Sequence, residues 1–568
     1  MARLAWRGVL LLGVAAGEDI RHYNPLNIAA ERLLTASLSP LPRIPASPTS
    51  PWAPLRQRIF RLLWLAVLIS NIGTWMQTVG AQWLLVGLPG AATLVALVQT
   101  ADTLPDVLLA FPAGALADAF DRRRLLIILQ LLQVAIGAGL TALTLTGHMT
   151  PALLLAFTLA LGGASAMTVP PYEALIPELV PREQLPSASA LGAISINLAR
   201  AIGPAIAGLL IARVGVGVVF GINTAAFLLL IGVLLVWRRP IEAAAQAPER
   251  FLPALRAGGR YVRYSPITRR ILLRLGLFIG PATAVWALLP LVATRLLHLG
   301  SGGYGLLLGA LGCGAVAGAL LLPRFSSALT PNRMLAAGSA VYAGAMAVLV
   351  LVRHPLPAFL VLLPAGAAWV VIISSMNAMI QLFLPGWVRA RGLAAYQIVL
   401  FGSQAAAALV WGLVAGLAGL VVAFLLAAGL LLLTAASLRL WPLYDVTGLN
   451  RDPSRPWPEP HLGMEPEEDI GPVLVATTYT VAPERQERFL QAMRDLRLSR
   501  LRTGAIRWEL YRDGAFPNRF VEEYTVPSWE EHLRQHHGRL TGADAEIEAR
   551  VDELADGPPQ SAHLFPAG

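Results

Sequence analysis

Two carboxylates stand inside an otherwise apolar stretch of the chain. Asp102 and Asp106 lie four residues apart, so that in a helix they share one face. Ionisable groups at membrane depth are costly and usually functional, and a carboxylate shielded from water can exchange a proton near neutral pH. We therefore predict that Asp102 and Asp106 carry protons, with Glu173 as a third candidate, since no Asp or Glu occurs from Arg250 to Tyr444.

Arg200 is a basic group at comparable depth in a later apolar run. Two interpretations stay open. Arg200 and Asp102 form a permanent structural pair, or Arg200 approaches and leaves Asp102 during a conformational cycle and thereby controls proton exchange. Both interpretations need the elements that carry the two residues to lie side by side.

A polar motif follows the run that holds the two aspartates. Small residues, among them Gly114, permit close helix contact, and charges then cluster at one membrane face: Asp118, Asp121, Arg122, Arg123 and Arg124. Asp118 is either a solvated loop carboxylate or a latch to Arg389 and Arg391, which begin a later helix at the same face. A partly buried latch of this kind contributes up to about 1 to 2 kcal/mol.

Composition defines the class of protein that holds these groups. Of 568 residues, 56% are hydrophobic and 14% charged, against about 25% charged in soluble proteins. Soluble enzymes, fibrous proteins and disordered proteins are thereby excluded, and the sequence predicts a polytopic membrane protein. The net charge of +10 is assigned to arginines at membrane boundaries, not to nucleic-acid binding.

Apolar runs long enough to cross a bilayer predict an all-α membrane protein with about twelve spans, numbered 1–12 here, in two six-helix bundles. They are 59–87, 91–117, 125–147, 151–170, 187–212, 215–237, 270–294, 303–323, 333–352, 356–384, 390–415 and 417–439. The predicted domains are bundles at 57–240 and 269–440, a central cytoplasmic loop at 241–268, a linker at 441–470 and a charged module at 471–568. Residues 1–56 are predicted to be a tail that is either disordered or included only because the start codon was chosen wrongly.

Arginine predicts the orientation. If the N-terminus is inside, the inner loops hold clusters such as Arg122–Arg124, whereas the outer loops hold only Arg213, Arg295 and Arg353. Positive charge collects on the cytoplasmic side. We therefore expect a plasma-membrane protein with both termini in the cytoplasm.

The motif around Asp118 resembles the loop between helices 2 and 3 of the major facilitator superfamily, and span 5 resembles the antiporter motif of its exporters. In that motif Asn197, Gly203, Pro204 and Gly208 are retained, while Ala207 replaces a glycine. Together with 69–77 and 175–183, these stretches resemble the branch that contains enterobactin exporters and macrolide efflux proteins. The resemblance covers roughly residues 57–440 and implies export of a small molecule by alternating access, with the span 5 motif sealing a helix pair.

Polar side chains within the spans are candidates for lining the substrate cavity, and tryptophans for its flat walls. The polar candidates are Asn71, Gln77, Gln82, Asn377, Gln381, Gln397 and Gln404, and the tryptophans are Trp75, Trp83, Trp286, Trp369 and Trp411. Because most membrane tryptophans are interface anchors, each tryptophan is a weak candidate individually.

The C-terminal module alternates between strand and helix patterns in the order βαββαβ, which is ferredoxin-like. Predicted strands are 471–481, 506–512, 519–526 and 562–565, and predicted helices are 483–501 and 529–540, the latter continued by 547–554. The module resembles small antibiotic-biosynthesis monooxygenases, which need no metal or flavin. His532, His536 and His537 are assigned to a solvated helix face.

The sequence thus predicts an exporter of a drug, siderophore or related metabolite that is coupled to protons. The alternatives are an exporter fused to a working monooxygenase, or to a module that senses ligand or forms a homodimer. The partners expected are the lipid bilayer, a small-molecule substrate and protons. No cofactor, metal site or catalytic pair is predicted, and the lone Cys313 is assigned to packing.

Overall fold

Within the part of the chain that the computed structural model describes, twelve helices are long and apolar enough to cross a membrane, which confirms the predicted class of fold. Their bounds are Arg58–Leu85, Ala91–Ala119, Arg122–Leu145, Pro151–Leu179, Leu185–Val214 and Val216–Val236 for spans 1–6, and Pro266–Leu291, Ser301–Ala328, Pro331–Leu351, Pro355–Phe383, Arg389–Ala418 and Leu420–Ala436 for spans 7–12.

The structure describes residues 50–237, 251–446 and 466–567, together with 448–450, 452, 454 and 462–464. Most of the predicted tail at 1–56 lies outside these residues, as do the first ten residues of the predicted central loop. Residues 54–568 form one unit, to which the following description applies.

Span 4 extends nine residues beyond its predicted end at residue 170. It contains Pro170, Pro171 and Pro177 and still ends at Leu179. Paired prolines normally stop a helix, but membrane helices tolerate them because neighbouring groups satisfy the freed backbone. This extension carries Glu178 to the same membrane face as the Asp118 motif.

The central connection contains a helix, Phe251–Tyr264, which we call the connecting helix. It ends at Tyr264, and the side chain of the next residue, Ser265, accepts a hydrogen bond from the Thr268 amide and so caps span 7. Apolar Ala257 and Tyr261 are buried on one face, whereas Arg256 on another face is exposed. The connecting helix is therefore packed against the spans and is not a free loop.

The C-terminal domain contains a four-stranded antiparallel sheet in the order β2-β3-β1-β4, with β1 Val473–Thr480, β2 Arg507–Arg512, β3 Arg519–Val526 and β4 Gln560–Leu564. Its helices are Gln486–Thr503, Trp529–Arg534 (extended by a π-helical turn, Gln535–Arg539) and Gly542–Leu554. This order is that of a ferredoxin-like arrangement. Phe489, Met493 and Leu496 pack on one face of the sheet with Val551.

Residues 547–554 do not continue the preceding helix, contrary to the sequence prediction. Thr541 caps a new helix, since its hydroxyl accepts from the Asp544 amide and the Asp544 carboxylate accepts from the Thr541 amide. This reciprocal arrangement satisfies two backbone donors at a helix start. It fixes a break between the two helices at this point.

Candidate functional site

Arg200 of span 5 lies among tryptophans from both bundles. Its guanidinium carbon is 5.4 Å from the ring centroid of Trp75 in span 1 and 5.8 Å from that of Trp286 in span 7. The two indoles are 5.8 Å apart, and Trp369 of span 10 lies 5.4 Å from Trp286. We call these four residues the Arg–Trp site.

Close packing of spans 1 and 5 positions Arg200. A Cβ on Gly203 would lie 2.8 Å from the Cβ of Trp75 and 3.1 Å from the carbonyl oxygen of Ile72, so only glycine permits this approach. Arg200 precedes Gly203 by three residues and therefore shares its helix face. The small residue of the span 5 motif thus brings the arginine onto Trp75.

The charge in the Arg–Trp site is held by aromatic faces, which attract cations. The Nε of Arg200 is buried and has no hydrogen-bond partner among the described residues. A buried polar atom without a partner is costly, and the planar guanidinium matches carboxylates and other planar anions in a two-point geometry. The Arg–Trp site can therefore bind an anion together with a flat aromatic group.

Gln82 joins the two bundles beside this site. Its side-chain amide donates to the carbonyl of Trp286 at 3.3 Å, and its oxygen accepts from the hydroxyl of Tyr304. Gln82 is 2% exposed. It serves as a polar link between spans 1, 7 and 8 and does not line an open cavity.

The bundles approach most closely where span 5 meets span 8. A Cβ on Gly208 would lie 2.4 Å from the carbonyl oxygen of Ser301, and a Cβ on Gly305 would lie 2.4 Å from that of Pro204. The hydroxyl of Ser301 also donates to the Gly208 carbonyl at 3.1 Å. The contact continues to Gly312, where a Cβ would lie 2.4 Å from the Cα of Ala201, whereas residues 323–328 toward the other end of span 8 are exposed.

Spans 2 and 11 make the matching contact on the other side of the molecule. Thr100 donates to the carbonyl of Ala405 at 2.9 Å, and Thr93 donates to that of Gly412 at 3.4 Å. Both contacts lie in the half of span 2 that precedes Asp102. The protein is thus closed at the end where spans 2 and 8 begin.

Asp102 and Asp106 are half-buried on span 2, below the contacts of Thr100. Among the described residues, neither aspartate forms a salt bridge, and Arg200 is not paired with Asp102. The permanent pair is therefore not formed in this conformation. Glu173 on span 4 is exposed.

The charged motif after span 2 ties three helix ends together. Asp121 caps span 3 by accepting from the Arg124 amide at 2.8 Å. Arg122 donates to the carbonyl of Ala174 and to the carboxylate of Glu178, both at 2.9 Å. Arg123 donates to the carbonyls of Leu234 and Leu235, which are among those a helix leaves unpaired at its C-terminus.

The side chain of Asp118 lies outside the described residues, so the latch to span 11 stays a prediction. Gly114 is half-buried and a Cβ there would meet nothing within 4 Å. Arg389 is exposed at the start of span 11, and Arg391 donates to the carbonyl of Trp387 at 3.1 Å. Arg124 is exposed.

The remaining polar candidates fall into two groups. Asn71, Gln77 and Asn197 bond within the first bundle: Asn71 to Ser195 at 3.2 Å, Gln77 to Asn223, and Asn197 to the carbonyl of Ala193 at 2.9 Å. In the second bundle Gln381 donates to Asn377 at 2.8 Å, Gln404 is half-buried, and Gln397 is exposed. The structure brings none of these residues into the Arg–Trp site.

The C-terminal domain contacts the loop between spans 10 and 11. Arg539 lies 4.9 Å from the ring of Trp387, whose other neighbour is Tyr261 of the connecting helix at 5.7 Å. Glu531 accepts from Arg539 at 2.7 and 2.8 Å and lies 3.8 Å from Arg260. Burial opposes ionisation of Glu531, but the hydrogen bonds and charges of these arginines hold its pKa below the ordinary value.

His532 and His536 are buried, so their assignment to a solvated helix face was wrong; His537 is exposed. Trp529, His563 and Tyr524 surround His532, whose Nε2 lies 3.1 Å from that of His563. Burial, strengthened by nearby positive charge, lowers the pKa of His532 to about 3 and that of His536 to about 2. Both imidazoles are therefore neutral at neutral pH.

A family model described as transmembrane secretion effector matches residues 49–565. The chain belongs to this family of the major facilitator superfamily. It is similar in fold to the nucleoside transporter NupG (TM-score 0.54, 14% identity, 67% of this chain and 99% of that one). A bacterial homologue of the lysosomal transporter Spinster, inward-facing and unoccupied, gives a TM-score of 0.52 at 14% identity over 68% and 95%. Family and fold establish a multi-pass membrane protein.

Relatives among characterised proteins match part of the chain. The staphyloferrin A transporter of Staphylococcus aureus is 24% identical over 254 residues, or 44% of this chain and 64% of that protein. The enterobactin exporter EntS of Escherichia coli is 31% identical over 226 residues, or 39% and 53%. The chain therefore spans between half and two thirds of the length of these relatives.

Sequence reasoning missed Glu178, Tyr304 and the contact between Glu531 and Arg260. Glu178 could have been found, because an extended span 4 carries this carboxylate to the membrane face where Arg122 lies. Nothing in the sequence pairs residues 531 and 260, which meet only when the C-terminal domain docks.

Proposed function

We propose that this protein exports a small anionic, aromatic metabolite of the siderophore class across the plasma membrane by alternating access. The observation that carries the proposal is the Arg–Trp site, where Arg200 lies between Trp75 and Trp286 at the junction of the bundles. Membership of the secretion family and similarity to the staphyloferrin A transporter and the enterobactin exporter support it.

Alternating access is supported by the one-sided contacts between the bundles. Spans 5 and 8 pack closely from Ser301 to Gly312, and residues 323–328 beyond that contact are exposed. If both termini are cytoplasmic, this conformation is closed to the outside and open to the inside. Rocking of one bundle against the other around the Arg–Trp site would reverse the opening, as in transporters built from repeated halves.

The experiment is uptake into proteoliposomes that contain the purified protein in both orientations. Enterobactin and staphyloferrin A, the molecules named for its relatives, serve as substrates. We expect accumulation of at least one of them, and loss of accumulation when Arg200 is replaced by Gln. The proposal fails if neither molecule is moved by protein that is folded and monodisperse, or if Arg200→Gln transports normally.

We further propose that protons drive export through Asp102 and Asp106. The second bundle has no carboxylate, and the two aspartates lie on span 2 beside the contact between bundles. Asp102→Asn and Asp106→Asn should reduce gradient-driven transport and retain downhill exchange. Glu183→Gln, a change at an exposed carboxylate between spans 4 and 5, is the control. Full gradient dependence in both aspartate variants would contradict the assignment.

A second candidate function concerns the C-terminal domain, which we propose regulates transport. Its Arg539 and Glu531 contact Trp387 and Arg260, so docking restrains the loop that begins span 11. Glu531→Gln should alter the transport rate more than twofold. Glu530→Gln, which removes only the carboxylate of a surface ion pair with Arg534, should not. Equal transport rates in the wild-type, Glu531→Gln and Glu530→Gln proteins would mean that the domain does not regulate transport. A homodimer through this domain stays a prediction.

A further inference from the structure

A cavity of about 420 Å³ lies between the connecting helix and the start of spans 7 and 11. Its volume is within the roughly 300–1,000 Å³ of small-ligand sites. Arg263, Arg269 and Arg391 supply its polar groups, and Val262, Ala395 and Ile398 form an apolar wall. We call it the arginine cavity. It is separate from the Arg–Trp site, which lies between the bundles.

Part of the positive charge around the arginine cavity lies at the N-terminal ends of two helices. Arg269 stands near the start of span 7 and Arg391 near the start of span 11, and neither helix has an acidic residue in its first turn. A helix N-terminus carries partial positive charge and disfavours cations. Two helix starts and three guanidinium groups therefore raise the potential at one point.

No carboxylate is among the described residues that line the arginine cavity. The chain has no Asp or Glu from Arg250 to Tyr444, a range that includes every residue lining the arginine cavity. Among the described residues, Arg263 and Arg269 form no salt bridge, and both are exposed. An anion from outside the chain would satisfy these groups.

Two glycines of the connecting helix shape the arginine cavity, and this shape bears on the kind of anion that fits. Gly258 packs directly on span 11, because a Cβ there would lie 2.7 Å from the Cβ of Arg391. A Cβ on Gly259, by contrast, would meet no atom within 4 Å, so this glycine leaves space. Basic groups beside an apolar wall at a membrane face match a phosphate headgroup with its acyl chains.

We propose that the arginine cavity binds the phosphate group of an anionic phospholipid. Arg263 and Arg269 contact the phosphate, and the apolar wall of Val262 and Ile398 receives the first part of the acyl region. The lipid thereby joins the connecting helix to spans 7 and 11. The shared chemistry with a free phosphate ion is the phosphate group, and the experiment separates the two sources.

The experiment is native mass spectrometry of the full chain in detergent, with phosphatidylglycerol, phosphatidylcholine or inorganic phosphate added. We expect retention of phosphatidylglycerol at concentrations where phosphatidylcholine is lost. Arg263→Gln and Arg269→Gln should each weaken it about fivefold, since a basic residue beside an anionic headgroup contributes about that factor. Arg256→Gln, on the same helix outside the cavity, should leave retention unchanged.

Gly259→Leu separates shape from charge, because it fills the arginine cavity and removes no arginine. It should weaken phosphatidylglycerol at least as much as either arginine variant. The proposal is overturned if Arg256→Gln weakens the lipid equally, or if both lipids are retained equally. Displacement of phosphatidylglycerol by millimolar inorganic phosphate, with equal thermal stabilisation by phosphate alone, would assign the cavity to a free ion instead. Transport of enterobactin is scored separately, so failure here leaves the proposed function intact.

Discussion

At the scale of single residues, the Arg–Trp site depends on the planarity of Arg200 as well as on its charge. Lysine keeps the charge but loses the flat, delocalised group that stacks on indole and binds anions at two points. We therefore expect Arg200→Lys to raise the apparent KM for an aromatic anion about tenfold or more, with a smaller change in maximal rate.

Substrate titration in proteoliposomes measures this effect. Arg213→Lys, at an exposed position near the end of the same span, is the matched control. A lysine variant with unchanged KM would mean that Arg200 does not contact the substrate.

The buried histidines predict a pH dependence of the C-terminal domain. The pKa values of His532 and His536 are about 3 and about 2 in the folded protein, against about 6.5 in an unfolded chain. The unfolded state therefore binds more protons below about pH 6.5, so stability is fully present above that pH and falls as the pH drops toward 3.

We expect the midpoint of unfolding of this domain, followed by hydrogen–deuterium exchange of residues 529–539, to decrease steadily from pH 7 to pH 4. His536→Gln should flatten that dependence, and His537→Gln, at an exposed ring, should not. A midpoint that is constant over this range in the wild-type protein would contradict the burial of both rings.

The residue types in the sequence identified part of the candidate site, but they did not show which residues contact one another in space. Asp102, Asp106 and Arg200 stand out because charge is rare in apolar runs. The partner of Arg200 in the other bundle, Trp286, is 86 positions away, and hydropathy does not pair distant residues. His532 is flanked by charged residues in sequence, which suggested solvent, whereas the packing of Trp529 and His563 buries it.

At the scale of helices, the closed end depends on the absence of side chains where spans 5 and 8 meet. A Cβ on residue 208 would lie 2.4 Å from the carbonyl oxygen of Ser301, so leucine at this position would collide with backbone. Backbone cannot give way as a flexible side chain does, so Gly208→Leu should hold the bundles apart at this end and reduce transport at least tenfold.

Labelling of Ser301→Cys with a membrane-impermeant reagent, in a chain whose exposed Cys313 is replaced by Ser, reports the opening. Gly192→Leu, on the same helix, is the control, because a Cβ at that position would have no atom within 4 Å. Normal transport and unchanged labelling in Gly208→Leu would show that the contact is not needed for closure.

Helix and strand patterns were recovered from sequence more fully than their ends. Twelve apolar runs identified twelve spans because length and hydropathy are local properties. Span 4 was cut short at Pro170, since tolerance of proline depends on neighbours that sequence does not show. The helix break before Gly542 did have a local signal, the Thr541 and Asp544 spacing of a capping box, which the apolar pattern of 547–554 obscured.

At the scale of the whole molecule, the C-terminal domain has hydrophobic clusters of its own, one of which also contacts Tyr264 of the connecting helix. Tyr479, Phe489 and Phe520 pack within the domain, while the spans bury a different set of side chains. A chain truncated after residue 446 should therefore insert and remain folded, with a thermal midpoint within a few degrees of the full protein.

Size-exclusion profiles and melting curves of the truncated and full chains make the comparison. Aggregation of the truncated protein, together with normal behaviour of Glu531→Gln, would mean that the domain supports the spans through more than the docking contact. The separation into two parts was predictable from the change in charge density after residue 440. The docking was not, because it joins residues from the connecting helix, the loop before span 11 and the domain.

The Arg–Trp site also has an electrical consequence. Arg200 forms no salt bridge with a described residue, so when Asp102 and Asp106 are protonated an empty carrier holds one positive charge inside the membrane. If rocking moves that charge across one fifth of the field, a potential of 100 mV changes the energy by about 0.5 kcal/mol. A bound monovalent anion cancels the charge and the effect. Voltage should therefore act on the return of the empty carrier and leave the loaded step almost untouched.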